Sequence, residues 1–307
     1  MRLKMISILA VVFYSAITLF SVSFATECQN WQTLHPEWIF CDDFESSGPL
    51  VGSGRWYGYD SASGNFSLTT GIGYSGSQGM KAVWTKGAVS VGGLQLTFGR
   101  NPMNSNGIHT TQDFREIYYR MYLKLQAGWT GNPGKLSRAI VFSAPDWSEA
   151  AIAHLWGDST THLLIDPASC VSGSTVQCVG YNDFNHLQWL GAQIGTTPLF
   201  DGQASHDDRW YCIEAHVKLN DSGQSNGIQE FWTDGNLETS KTGINFVGSY
   251  TAYGINAVFF ENYWNTGATQ NEERYFDNIV VSTQRIGCTG NSNAIVAPNP
   301  PQNLTIN

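Results

Sequence analysis

The chain has 307 residues, of which only 13% are charged, and a formal net charge of −9. With 32 glycines and 13% aromatic residues, it lacks the Glu, Lys, Ala and Leu density that long helices need. The acidic balance speaks against nucleic acid or an anionic membrane surface as a partner.

Arg2 and Lys4, the apolar run 6–20 and the small residues Ser23 and Ala25 read as a secretory signal peptide over residues 1–25. The mature protein is therefore expected to be secreted or periplasmic. Losing those two cations takes the net charge from −9 to about −11. No second apolar run is long enough to span a bilayer, so no membrane insertion is expected after cleavage. Six cysteines in an exported chain predict disulfides. Cys170 and Cys178 are expected to form a local bridge. Cys288 is expected to staple the N-terminal segment through Cys28 or Cys41. No pair has zinc-ligand spacing.

Residues 26–40 form a short aromatic lead-in, followed by DDFE at 42–45. Short strands are predicted over 56–59 and 66–69, then over 80–84 and 94–98 around Gly92-Gly93. A polar loop over 101–111 leads to a strong strand, Glu116–Leu125. There Ile117, Tyr119, Met121, Leu123 and Leu125 make an apolar face, while Glu116, Tyr118, Arg120, Tyr122 and Lys124 make a polar one. Further strands are predicted over 138–142, 151–156 and 162–165, and a loop-like insertion over 182–200.

The same alternation recurs at 210–219. Tyr211, Ile213, Ala215, Val217 and Leu219 face the core, and Trp210, Cys212, Glu214, His216 and Lys218 face away. The turn-forming NDSGQSNG at 220–227 leads to a strand over 228–233, and Asp234-Gly235 signals the next turn. Strands over 255–264 and 274–283 follow. Phe231, Phe259 and Phe260 are assigned to the core. A Pro- and Asn-rich tail or linker occupies 289–307. About a dozen short strands without a useful helix predict one all-β domain over 26–288, an antiparallel two-sheet sandwich.

The order of DDFE, EIYYRMYLKL, WYCIEAHVKLN, GIQEFWTDG, ENYWN and DNIVVST resembles secreted proteins of the concanavalin A-like lectin/glucanase superfamily, in particular its polysaccharide-lyase-like jelly rolls. The resemblance covers most of 38–285. It implies two curved antiparallel sheets, with a sugar groove on the concave one lined by the polar faces of the two strong strands. The chain departs from the best-known subfamilies. It has no E-x-D-x-x-E segment. Arg115, Glu116 and Arg120 only echo R-x-E-x-R, and Ile152-Ala153-His154 only echoes Q-I/V-H. Catalytic roles are therefore not carried over.

Lectins, hydrolases and lyases share this fold, so function must be argued from residues. A β-eliminating lyase needs a group that neutralises a uronate carboxylate, a base, and an acid for the leaving oxygen. Arg120, Lys124 and Lys218 are candidate neutralisers, His216 or Tyr118 the base, and Tyr122 or Tyr263 the acid. Placing Tyr263 with the others assumes a shared sheet. Glu116, Tyr122, Lys124, Trp210, Glu214, Glu230 and Trp232 would contact the sugar chain. The bland alternative makes Glu214 and Lys218 cross-strand partners and His216 a packed bystander. A glycoside hydrolase would instead draw a carboxylate pair from Glu116, Glu214, Glu230 and Glu261. A lectin would need only platforms such as Trp210, Trp232, Tyr263 and Trp264.

Asp42, Asp43 and Asp277, on the first and last strands that this architecture places side by side, are candidate ligands for a structural calcium. Alternatively, they cap turns and meet Arg274. No other cofactor is expected. The leading expectation is a secreted, monomeric polysaccharide lyase acting on an extracellular uronate polymer. A hydrolase and a carbohydrate-binding domain stand behind it.

Overall fold

A computed structural model describes residues 27–52, 54–74, 77–103, 107–158 and 161–289. The expected signal peptide lies outside these residues, as does the tail beyond residue 289. A four-residue helix, α1 (Trp31–Leu34), precedes eighteen strands. They are β1 (Trp38–Asp42), β2 (Gly58–Asp60), β3 (Phe66–Thr70), β4 (Gln78–Trp84), β5 (Ser90–Thr97), β6 (Glu116–Leu125), β7 (Lys135–Phe142), β8 (Glu149–Gly157) and β9 (His162–Ser169), then β10 (Val171–Ser172), β11 (Thr175–Val176), β12 (Gln188–Trp189), β13 (Gln193–Pro198), β14 (Trp210–Lys218), β15 (Gly227–Thr233), β16 (Asn236–Ile244), β17 (Ala257–Tyr263) and β18 (Glu272–Ser282).

The strands form two large antiparallel sheets. The first runs β16-β15-β14-β6-β18-β4-β3, with β1 also paired to β18. The second runs β12-β9-β8-β7-β17-β5-β2, with β13 also paired to β9. This is a two-sheet antiparallel jelly-roll sandwich, and its first and last strands do lie side by side. The two strong strands are direct neighbours, in register from Trp210 opposite Lys124 to Lys218 opposite Glu116. Their apolar faces point inward as the alternation predicts: Ile117, Tyr119, Met121, Ile213 and Ala215 are all buried in the main core. Sheet two contributes Leu94, Leu96, Ala139, Val141, Ala153, Leu155, Val258 and Phe260 to that core. Asp234 (φ 52°) and Gly235 (φ 83°) form the β15–β16 turn. Positive φ at both central positions matches the twist of a tight hairpin and explains Asp-Gly there.

Several expectations need correction. The stretch 182–200 is not simply a loop, since β12 and β13 add it to β9. β16 also escapes the sequence pattern. It is a polar edge strand, and an edge without a buried face carries no alternation. Trp264 is buried in the core beside Trp129 and Trp84, so it offers no platform to a sugar.

Three disulfides are present among the described residues. Cys170–Cys178 closes the local loop as expected. The other two overturn the expected staple: Cys28 bonds Cys41, and Cys288 bonds Cys212. The reason is the strand order. Cys288 follows β18, which lies next to β6, and β6 lies next to β14, which carries Cys212. Cys28 needs only a short turn to reach Cys41 on β1.

The Cys212–Cys288 bridge joins residues 76 apart in sequence. Crosslinks of that span restrict the unfolded chain strongly. Replacing both cysteines with alanine should lower the unfolding free energy by about 2–5 kcal/mol. Denaturant melts under non-oxidising conditions measure this, and a midpoint equal to wild type would refute it.

Candidate functional site

The polar faces of β6 and β14 do not line an open groove, because both chain ends cross them. Cys212 is tied to Cys288. Glu214, 1% exposed, accepts hydrogen bonds from Arg285 Nε at 3.1 Å and from the backbone N–H groups of Ile286 and Gly287 at 2.7 and 3.3 Å. Arg120, also 1% exposed, donates to Glu27 at 2.5 Å and to the carbonyls of Gly287 and Asn278. Tyr122 accepts from the Thr289 N–H at 2.7 Å, and burial pushes its pKa up to about 12. Arg285 lies 3.8 Å from the ring centroid of Trp232. Lys124 reaches Asp208 at 3.3 Å and lies over the rings of Trp210 and Tyr275.

The free end of this face carries a compact ionic group. His216 places Nδ1 2.9 Å from Glu230 and Nε2 2.9 Å from Glu116. Lys218 meets Glu116 at 3.3 Å, and Ser240 donates to Glu230 at 2.6 Å. The Tyr118 ring stacks on the imidazole at 4.2 Å. The structure thus brings together His216, Tyr118, Glu116, Lys218 and Glu230. Both ring nitrogens of His216 are engaged, so neither is free to take a proton from a substrate. Tyr263 is not among them. It lies on β17 in the other sheet, because β17 pairs with β5 and β7.

The outer face of sheet two is arranged differently. One part is closed by a second apolar cluster, in which Ile140, Phe142, Ile152 and Phe259 pack under the Cys170–Cys178 loop and Leu187. The neighbouring part carries charge. Arg138, fully buried on β7, donates to Asn182 Oδ1 at 2.6 Å, to Glu261 Oε1 at 2.5 Å and to the Tyr181 hydroxyl. Glu149 accepts from the Asn182 N–H at 3.1 Å. Burial pushes the Glu149 pKa up to about 7, against the pull of Arg138. His154 presents Nδ1 to the Asp166 carbonyl at 2.8 Å. A carbonyl only accepts, so Nδ1 carries the proton and Nε2 keeps a lone pair, which has no partner. Burial, reinforced by Arg138, holds His154 neutral, with its pKa well below the usual range.

Lys135 completes the group. Its Nζ lies 4.9 Å from the Tyr263 ring centroid, 5.5 Å from Phe184 and 5.8 Å from Trp156. It forms no ion pair among the described residues. Burial lowers its pKa, opposed by Glu261. Tyr263 in turn lines a cleft of about 110 Å³, together with Asp60, Ser90, Gln95 and Glu261. Gly93 stands opposite Glu261 in the β5–β17 pairing, where a Cβ would lie 2.5 Å from the Phe260 carbonyl. On the other side of Lys135, Phe184 stacks with Trp189, and the two remain 44% and 45% exposed.

Sequence reasoning missed Lys135, Arg138, Glu149 and Tyr181, and reached His154 only as an echo. A signal was present for one of them: Arg138 is the single charge in the otherwise apolar run 138–142. Alternation along ENYW also puts Glu261 and Tyr263 on one side.

The three candidate calcium ligands have other partners. Asp42 is filled by Arg55, the Trp56 indole N–H at 2.8 Å and the Phe44 N–H at 2.9 Å. Asp43 accepts from Cys28 and Glu45 N–H groups. Asp277 accepts from Tyr74 and Asn278 N–H groups, and burial with Asp43 and Glu45 nearby pushes its pKa up to about 7. Among the described residues, no three His, Cys, Asp or Glu side chains gather as a metal-binding group. Arg274 meets none of these aspartates; it lies in the core.

No protein-family model matches the chain, and no curated protein does either. Solved structures do. An endo-β-1,4-glucuronan lyase from the fungus Trichoderma reesei superposes with a TM-score of 0.53 at 14% identity, over 80% of this chain and 96% of that one. A family 14 alginate lyase from Aplysia kurodai gives 0.52 at 12% identity, over 80% and 99%. An alginate lyase from Chlorella virus gives 0.51 at 13% identity, over 75% and 93%. At such identities the likeness is one of fold.

Proposed function

We propose that this chain is an exported polysaccharide lyase that cleaves a uronate-containing polymer by β-elimination on the outer face of sheet two. The observation that carries this reading is Lys135, an ammonium without an ion pair, ringed by aromatic side chains beside Tyr263 and the cleft. Elimination next to a uronate carboxylate requires a positive charge that neutralises the carboxylate and so acidifies the neighbouring C–H. Lys135 supplies that charge. Tyr263 is the proton-transfer group: as the phenolate it takes the proton from C5, the C4–O4 bond breaks as the C4=C5 bond forms, and the phenol so formed gives that proton to the departing O4. Arg138, bonded to three partners through its two Nη atoms, holds Glu261 and Tyr181 in place and adds positive potential. Phe184 and Trp189 offer flat apolar surfaces to sugar rings. The fold is shared with solved lyases acting on glucuronan and alginate. The three disulfides fit an oxidising compartment.

Hydrolysis is the weaker reading. It needs two carboxylates that both reach the sugar. Glu149 is fully buried, and the pair Glu116/Glu230 on the other face is occupied by His216.

Absorbance near 235 nm, where an unsaturated uronate absorbs, should rise when the protein meets a panel of uronate polymers. Tyr263→Phe should lower kcat by about 10²-fold or more, the range of lost acid–base catalysis. Lys135→Met should lower kcat/KM similarly. His216→Ala should cost less than about tenfold. The reverse ranking would put the chemistry on sheet one, and new reducing ends without absorbance would put hydrolysis in its place.

The pH profile follows from the sign of the Lys135 shift. The ammonium must be charged to act, and its charge is lost as pH rises through a lowered pKa. The alkaline limb of kcat/KM should therefore fall below the ordinary lysine pKa of about 10.4. Lys135→Arg, whose guanidinium stays charged, should remove that limb.

A further inference from the structure

Along β7, Leu136 and Ser137 should face opposite ways. Instead, both turn inward. Leu136 packs in the main core, and Ser137 Oγ lies 3.2 Å from the Tyr119 hydroxyl. The alternation slips by one position, so Lys135 points outward to Tyr263 rather than into the core. The cause is a bulge between β7 and β17. Phe260 stands opposite Ser137 and Tyr263 opposite Lys135, so Glu261 and Asn262 together face Leu136 alone. A bulge interrupts the ladder, and its backbone groups need other partners.

Those partners come from the opposite sheet. Arg274 on β18 reaches across the core. Its Nη2 donates to the Glu261 carbonyl at 2.7 Å, to Asn262 Oδ1 at 2.7 Å and to the Lys135 carbonyl at 3.4 Å, and its Nε donates to Asn262 Oδ1 at 3.2 Å. The guanidinium is fully buried between the rings of Trp84 and Phe276, with centroids 5.0 and 5.1 Å away. It has no carboxylate partner among the described residues. A buried charge without a counterion is costly, and an apolar side chain of that size packs more cheaply. A role confined to stability does not account for it.

We propose that Arg274 is a positioning residue for the sheet-two site: from outside the reach of any substrate, it fixes the bulge that turns Lys135 outward onto Tyr263, which lines the cleft. The proposal rests on the lyase reading of that site for its kinetic readout, though not for its structural one. The charged groups facing Lys135 are Glu261 on β17, Arg138 on its own strand and Glu149 on β8. Arg274 bonds none of their charged groups and touches only the Glu261 backbone carbonyl, which belongs to the bulge, so a change in Lys135 behaviour on mutating Arg274 reports the bulge.

The test uses Arg274→Met, Arg274→Lys and Asn262→Ala in the disulfide-bonded protein. Arg274→Met is expected to lower kcat/KM by about 10²-fold, the scale of a misplaced catalytic group. Its alkaline limb is expected to move up toward the ordinary lysine range as Lys135 enters water. Arg274→Lys, with three donors for three acceptors, should recover part of both. If Arg274→Met does not fold, Asn262→Ala, which removes the shared acceptor, carries the same expectation. A folded variant whose alkaline limb is unchanged, and whose activity falls only with its folded fraction, overturns the proposal. If the wild type forms no unsaturated uronate, the lyase reading fails by itself. The Lys135 titration, followed by NMR in wild type and Arg274→Met, or in Asn262→Ala where Arg274→Met does not fold, then decides: a shifted pKa supports the positioning role, and an identical one overturns it.

Discussion

A guanidinium with no carboxylate lies in the middle of this core, and much of the site geometry depends on it. Burial pushes the Arg274 pKa down to about 9, so the group is still charged at neutral pH. Its stabilisation comes from two carbonyls, one side-chain amide oxygen and two aromatic faces rather than from an ion pair. Carbonyl dipoles held by a sheet cannot reorient freely, so the charge and the bulge constrain each other. Arg274 holds the strand irregularity, and the irregularity supplies the acceptors that make a buried cation tolerable. A site built on strands is thereby fixed by a contact through the layer beneath it.

Arg120 and Arg138 are equally buried but are compensated differently. Arg120 is covered by the chain ends and meets Glu27, so its charge is spent on binding the N- and C-terminal segments to sheet one. The same segments fill Glu214 and Trp232. Arg138 instead bonds a carboxylate and a phenol beside an open cleft. Two outer faces of similar composition thus reach opposite ends, one sealed by the termini and one only partly roofed by the loop that carries Tyr181, Phe184 and Trp189.

Much of the architecture was legible in the sequence. The period-two alternation of β6 and β14 places their core faces correctly, and Asp234-Gly235 marks its hairpin. The pattern fails where a strand lacks a buried face, as in β16, or is short and polar, as in β12 and β13. Alternation also says which residues leave the core and not what covers them afterwards. The row of Glu214, His216 and Lys218 was visible. The strap over it was not, because the strap depends on the Cys212–Cys288 pairing, and spacing does not determine a pairing. Lys135 was illegible for another reason: a bulge breaks the very periodicity used to assign faces.

Unmet bonding capacity occurs on both sheets, in different settings. On the outer face of sheet one the Glu214 carboxylate and both nitrogens of His216 are engaged, while Arg120 Nε and Asn278 Oδ1, next to the chain ends, lack partners among the described residues. On sheet two five buried atoms lack a partner among the described residues: Arg138 Nε, Glu149 Oε1, His154 Nε2, Trp156 Nε1 and Glu261 Oε2. Such atoms are costly, and folded proteins keep few of them without a reason. Of these residues only Glu261 lines the cleft; the others lie enclosed behind it and act on a ligand through the field they create rather than by contact. A face crossed by both chain ends has little to offer such a ligand. Strain of this kind is tolerated where function needs it, which is why the less conspicuous strands, rather than the two strongest, carry the proposed chemistry.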